Sequence, residues 1–564
     1  MLTLILGFAS CDMTEMDLQQ NPNAVSPEQA NVNNIYNNVV LDFNDFVGSH
    51  WHFTGGLSRM RNWTGGFTYN DAYSPSSLNF TWNEAYAVLL PDIDALIALS
   101  DEKGLGIHGG SARIMKAYIL TTLVDLFGDV PYSEALQGTD IISPKDDPGD
   151  QVYAAADALL DEAITVLSNN TGAAPENDLY YGGDASKWIT LANSLKLRNA
   201  VTTRLVNTNA ASIINKLVAD GDIIDDMSED FQFTYGNNRT NPDTRSPFYT
   251  THYESDDGIY MSNYYMWLLN GEKLDADGNE VIDPRIRYYF YRQVSDAFAQ
   301  DVNVYSCIFS DLPDPAFTPQ HYLDVDPRMP YCVLSNGYYG RDHMNGSGIP
   351  PDGPIRTVYG VYPGGGKFDD NSFDGVQNQG QDGAQGAGIN PILLSSFLDL
   401  MRAEAAVTLG TNDDAAALLE RAIRTSIAKT ISFGPKDPNY TIEFDDPVVG
   451  PITPQDKFEP SEDAINDYVA VVMDKFNNSD DDGKLDVIIK ELYIALWGNG
   501  LEAYNAYRRT CKPGNIQPTI EPASGDFASS ALYPASHVDL NANATQKSIT
   551  EPVWWDTNST GCAY

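Results

Sequence analysis

The sequence predicts a mainly α-helical fold: helix pairs packed into a scaffold, with a loop-rich region containing short strands. Two observations carry this. Apolar residues recur at spacings of three and four through two long blocks, about 28–210 and 390–510. Between them, over about 222–388, Gly, Pro, Asn, Asp and Tyr are dense and apolar residues are scattered. That is the composition of long loops and short strands.

In the first block Ile114, Ala117, Tyr118, Thr121, Val124 and Phe127 form one apolar stripe. Gly128 ends that helix, and Pro131 keeps it from restarting. Trp82, Tyr86, Leu89 and Leu90 mark the helix before it, where helical spacing assigns Trp82 and Tyr86 to the core. A further pair is expected over 152–167 and 188–205, the second entered at Ser186. The second block reads as helices over 392–409, 413–431, 461–476 and 485–508. Gly498-Asn499-Gly500 opposes the last by propensity, and close packing against a neighbour would permit it. Paired helices of about 15–20 residues resemble TPR-like units stacked into a superhelix. Residues 28–564 are therefore read as a single domain, closed by an irregular tail over 511–564. The turn Asp277-Gly278 is typical of the middle region.

The chain opens with MLTLILGFASC, a short apolar run ending in small residues before Cys11. It has the form of an export signal, 1–11, ending at an acylated cysteine, although no Lys or Arg precedes it and Phe8 stands where Leu is usual. Lipid on Cys11 would hold the protein on a membrane, and the polar stretch 12–27 would serve as a tether. No later stretch approaches a membrane-spanning length.

A net charge of −44, with only 34 Lys and Arg, excludes nucleic acid as a partner, since phosphate neutralisation requires clustered cations. The 32 Tyr and 11% aromatic content suit a surface that handles carbohydrate. Apart from Cys11 there are Cys307, Cys332, Cys511 and Cys562, which allow three pairings in an exported chain. The local solution, Cys307–Cys332 with Cys511–Cys562, is the one expected.

Sugars are held by stacking on Trp or Tyr, with amides, carboxylates and Arg on their hydroxyls. Trp51, Trp63, Tyr69 and Tyr73, interleaved with Asn62, Asn70, Asp71 and four glycines, meet that description. The glycines (Gly55, Gly56, Gly65 and Gly66) predict an exposed loop. A second candidate cluster holds Tyr338, Arg341 and His343, next to Tyr339 and Asp342. Neither cluster has the spacing of a metal site, and no catalytic residue, metal or cofactor is assigned. Glu404, alone on an apolar helix, should pair with an Arg or cap a neighbouring helix, and Glu502, Arg508 and Arg509 should form an ion-pair face. Asn478, Asp480, Asp482, Gly483 and Asp486 follow calcium-loop spacing, but Ile489 replaces the bidentate Glu. An acidic helix start is the simpler account.

Five segments, in order, resemble the SusD/RagB family of nutrient-binding outer-membrane lipoproteins of Bacteroidetes. They are KAYILTTLVDLFGDVPYSEAL (116–136), YYGGDASKWITLANSLKLR (180–198), GRDHMNGSGIPPDGPIRTVYGVYPGGGKFDD (340–370), NPILLSSFLDLMRAEAAVTLG (390–410) and IALWGNGLEAYNAYRRT (494–510). The resemblance implies a non-enzymatic lipoprotein on the outer membrane, facing the exterior. It would capture oligosaccharides or peptides and hand them to a SusC-like TonB-dependent transporter. Two other classes stay open: a helical-scaffold glycoside hydrolase, which needs two opposed carboxyls, and a TPR-like protein-interaction scaffold.

Overall fold

The computed structural model describes residues 31–564, except 64, 65, 67, 70–72, 256–258, 296–317, 333, 335, 346–355, 378, 523, 559–561, 563 and 564. The signal 1–11 with Cys11, the whole tether 12–27 and Cys307 lie outside the described residues.

The first block forms as its periodicity requires. Helix α1 (Val32–Ser49) starts at Asn31, whose side chain accepts from Asn33 N, and α2 (Trp51–Leu57) follows after one residue. A short helix (Asn79–Asn83) and a π-helical turn (Glu84–Leu89) lead into α3 (Leu90–Lys103). Trp82 is buried, with its ring 5.1 Å from Phe127. Helix α4 (Gly106–Phe127) is buried at every position except Gly106 and Lys116, so it has no free face beyond the predicted stripe. It stops at Gly128, where φ is 86°, as Gly allows at a helix end. Small residues let α5 (Gly149–Ser168) close on it: a Cβ on Gly110 would lie 2.5 Å from Leu167. Helices α6 (Ala185–Thr202) and α7 (Ala210–Asp220) complete the block, and Asp184 caps α6 by accepting from Ser186 N and Lys187 N.

The middle region holds short ladders. Strand β1 (Phe231–Thr234) pairs antiparallel with β4 (Ile389–Leu393), and β2 (Phe290–Tyr291) with β3 (Val358–Tyr359). The first pairing corrects the helix expected from 392: α8 is Ser395–Leu409. Pro391 disfavours helical backbone at Asn390, and β1 offers that segment extended partners instead. The other helices are α9 (Ala415–Ile431), α10 (Glu462–Asn477), α11 (Asp481–Ala495) and α12 (Gly500–Thr510). Asp414, Ser461 and Asp480 cap the first three. Asp480 accepts from Gly483 N, Asp482 pairs with Lys512, and Gly514 N donates to Asp486, so these acids serve the helix start and its neighbours.

The predicted helix over 485–508 is broken at Gly498, where φ is 100°. Asn499 then caps α12 by accepting from Glu502 N, while its amide donates to the carbonyls of Pro391 and Ile392. The tail folds back on the helices and is tied to α12 by a Cys511–Cys562 disulfide, as expected. Cys332 is also disulfide-bonded.

Buried ion pairs join the two blocks. Glu404 accepts a two-pronged bond from Arg509 (Oε1 and Oε2, both 2.8 Å) and a third from Arg204 (2.9 Å). Glu502 pairs with Arg198 at 2.7 Å, whereas Arg508 donates to the carbonyls of Ser529 and Asp125. The expected ion-pair face on α12 is thus three separate links to other elements. Glu502 and Arg509 are ion-paired, each with a residue of another helix, while Arg508 is held by carbonyls.

Glu272 gives the fold an acid limb. Burial opposes its ionisation, but Lys490 at 2.7 Å and Lys273 outweigh burial and hold its carboxyl at about 2. The folded pKa is below the unfolded value of about 4.3. The pair's contribution is therefore complete above about pH 4.3 and is lost as pH falls toward 2. It is worth on the order of 3 kcal/mol. Melting temperature measured from pH 5 to pH 2 should fall less steeply for Glu272→Gln than for the native chain.

Candidate ligand-binding groove

The aromatic residues singled out in the sequence are packed, not displayed. Trp51 to Leu57 is helix α2, and Trp51, Trp63, Tyr69 and Tyr73 are all buried. Gly55 and Gly56 do not open a loop. They give room to rings, since a Cβ on Gly55 would meet Trp51 at 3.0 Å and one on Gly56 would meet Trp63 at 2.7 Å. Trp63 and Tyr73 pack edge-on with centroids 3.8 Å apart, and Tyr69 stacks on Tyr73 at 6.4 Å.

The fold brings this cluster to His343, part of the second one. Arg59 can only donate, so the Tyr69 hydroxyl accepts from it (3.2 Å), and the same hydroxyl shares a hydrogen bond with His343 Nε2 (3.0 Å) whose donor is set by the ring's tautomer. Burial and then the Arg59 charge push the His343 pKa well below its ordinary value, so the ring is neutral. Tyr338 is covered by Arg292, 5.0 Å from its centroid, and Arg341 lies 4.1 Å over Tyr260. These contacts correct the expectation of an open stacking platform: among the described residues Trp63, Tyr69, Tyr73, Tyr338, Arg341 and His343 are joints between segments.

Trp51 is the exception, because it borders a groove of about 310 Å³ between α1, α2 and the middle region. This is at the lower end of the size of ligand sites. Trp51 Nε1 donates to the Tyr359 hydroxyl at 3.1 Å, and its ring meets Phe248 edge-on at 5.4 Å. Phe248 in turn lies 5.1 Å from Tyr359. Phe80, 60% exposed, forms the rim. Polar groups complete the lining: Asn44, joined to Tyr235 (3.1 Å) and Asn390 (2.9 Å), then Asp45 and Arg61. Burial raises the Tyr359 hydroxyl to about 12, so it is a neutral hydrogen-bonding group there. The arrangement offers aromatic edges, amides and one cation around a concave surface, which is equipment for recognition.

A larger cavity, about 730 Å³, lies between 272–276 and helices α10 and α11. Most of its charges are already matched, Lys490 to Glu272, Lys273 to Glu491, and Arg328 to the carbonyls of Gly271 and Glu272. The smaller aromatic groove is the better candidate for a ligand. Sequence reasoning finds its Trp51 but misses Arg61, Phe80, Phe248 and Tyr359. Residues 51, 248 and 359 meet only through the fold. An exposed-rim Phe80 beside the core Trp82 leaves no periodic signal to separate them.

Among the described residues no helix is long and apolar enough to cross a membrane. A search of curated proteins returns no match. Two family models do match: one described as starch-binding associating with outer membrane, over 22–322, and one described as SusD and RagB outer membrane lipoprotein, over 390–555. Solved structures share the fold at low identity. A chitin-binding protein is 20% identical with a TM-score of 0.60, the match covering 92% of this chain and 99% of that one. A SusD homologue from Bacteroides fragilis is 16% identical with a TM-score of 0.63, covering 94% and 99%. A SusD-like protein of Bacteroidetes is 17% identical with a TM-score of 0.63, covering 94% and 100%. With one family model spanning more than half of its length and a second matching its C-terminal helical block, the chain belongs to the SusD/RagB family of outer-membrane lipoproteins.

Proposed function

We propose that this protein is a non-catalytic, lipid-anchored receptor that captures a saccharide at the outer-membrane surface. It would pass that ligand to a SusC-like TonB-dependent transporter. The observation that carries the reading is the groove itself: an exposed phenyl rim at Phe80 above Trp51, Phe248 and Tyr359, with the Asn44–Asn390 amides beside them. Carbohydrate C–H faces pack on such rings while amides satisfy hydroxyls. The family description and the chitin-binding fold relative support a saccharide over a peptide. Anchoring at Cys11 and the transporter partnership rest on the sequence and on family membership.

The test is calorimetric titration of the chain beginning after Cys11 with oligosaccharides and peptides, each mixture then assayed for cleavage products. Binding without turnover supports capture, and released product makes the protein an enzyme instead. Phe80→Ala should weaken the bound saccharide about tenfold, or about 1.4 kcal/mol. Because Phe80 is mostly exposed, its melting temperature should barely move, within about 0.5 kcal/mol of stability. An unchanged affinity would remove this groove from the reading.

A further inference from the structure

We propose that Arg61 makes the groove selective for saccharides that carry an anionic group, a ring carboxylate or a sulfate ester. The inference rests on the capture reading above. Arg61 lines the groove yet is only 4% exposed. Its backbone N–H donates to the Gly55 carbonyl at 3.2 Å, whereas the side chain makes one long bond, Nε to the Asn62 carbonyl at 3.4 Å, and no carboxylate among the described residues pairs with the guanidinium. The groups that bear on its charge are the Tyr359 and Tyr73 hydroxyls, not a carboxylate. Asp45 shares the groove but is exposed and forms no ion pair with Arg61.

Four other buried arginines are matched. Arg198, Arg285 and Arg509 each pair with a carboxylate at 2.6–2.8 Å, and Arg59 bonds two carbonyls and a hydroxyl. A buried cation without an anion is costly, and that cost falls when a ligand supplies the anion. The guanidinium fork fits a carboxylate or sulfate with two parallel bonds, which a hydroxyl cannot accept in the same geometry. Arg356 and Arg61 also help burial to keep His252 neutral, at about 3. A chain of net charge −44 thus has a cationic spot at its aromatic groove.

The experiment pairs each anionic probe with its neutral counterpart. The native chain is titrated with oligogalacturonate and its carboxyl-reduced form, and with a sulfated galactan oligosaccharide and its desulfated form. Expected is at least tenfold tighter binding of the anionic member of one pair, and which pair it is separates carboxylate from sulfate. Arg61→Met should remove that preference without lowering the melting temperature, since it deletes an unmatched buried charge. Arg61→Lys, which keeps the charge but not the fork, should retain only part of it. Equal binding of charged and neutral members overturns this inference and leaves the capture reading standing. Absence of binding by every probe overturns both. A lower melting temperature for Arg61→Met together with an intact preference in Arg61→Lys makes Arg61 a structural cation and overturns the inference alone.

Discussion

Replacing Asp125 with alanine is expected to cost about 4–5 kcal/mol, a large fraction of the marginal stability of a folded protein. Asp125 is fully buried in α4. Its Oδ2 accepts from Arg198 at 2.8 Å and Asn505 at 2.7 Å, and its Oδ1 from Trp555 at 3.0 Å and Tyr153 at 2.5 Å. One carboxylate thereby joins α4 to α5, α6, α12 and the C-terminal tail. Alanine leaves Arg198 with Glu502 as its one carboxylate and strands three neutral donors where water cannot reach them. Breaking a buried ion pair from one side costs about 3–5 kcal/mol, and each orphaned donor about 1–3 kcal/mol. These terms share partners and do not add fully. Urea unfolding of Asp125→Ala against the native chain measures the loss. A change below about 2 kcal/mol would mean that local water or a shifted side chain replaces the carboxylate, against the full burial of Asp125.

How legible each feature is in the sequence depends on how far along the chain its cause lies. The caps at Asp184, Asp414, Ser461 and Asp480 act within three residues, and the helices they start are readable to within a few positions. The helix expected from 392 loses its first residues because β1, nearly 160 residues earlier, competes for Ile389 to Leu393. Asp125 reads in sequence as a polar break in an apolar stripe; its partners lie 28 to 430 residues away. The aromatic run around Trp63 misleads for the same reason. Aromatic rings among glycines describe an open platform or a tightly packed joint equally well. The choice is made by Tyr69 meeting His343, 274 residues distant, which the run itself does not encode. Trp51 belongs to that same run, and it borders the groove for a reason the run does not encode either, the approach of Phe248 and Tyr359.

Gly500→Ala is expected to cost about 2–3 kcal/mol and to weaken ligand binding without touching the groove. A Cβ at this position would lie 2.5 Å from Gly55 N, 2.6 Å from Thr54 Oγ1 and 2.9 Å from Gly55 Cα. Two of these atoms are backbone, so no rotamer change relieves the clash, and α2 or α12 must move. Helix α2 has only seven residues, and Trp51 at its start holds Tyr359 by one 3.1 Å bond. Its Gly55 leaves room for the Trp51 ring, which an added Cβ would meet at 3.0 Å, so a shift of α2 away from α12 carries the groove wall with it. Gly48→Ala is the control for stability alone: it sits in α1, at the groove lining, with nothing within 4 Å of its added carbon, and should be neutral or gain up to about 1 kcal/mol. Urea unfolding of both variants and saccharide titration of Gly500→Ala separate the two effects. If Gly500→Ala destabilises the fold but binds with native affinity, the position of α2 does not set the groove. If both fall together, the close approach of α2 to α12 is what makes Trp51 a binding residue, and the glycine-rich pattern that in sequence suggests an open loop is the means by which the scaffold fixes the site.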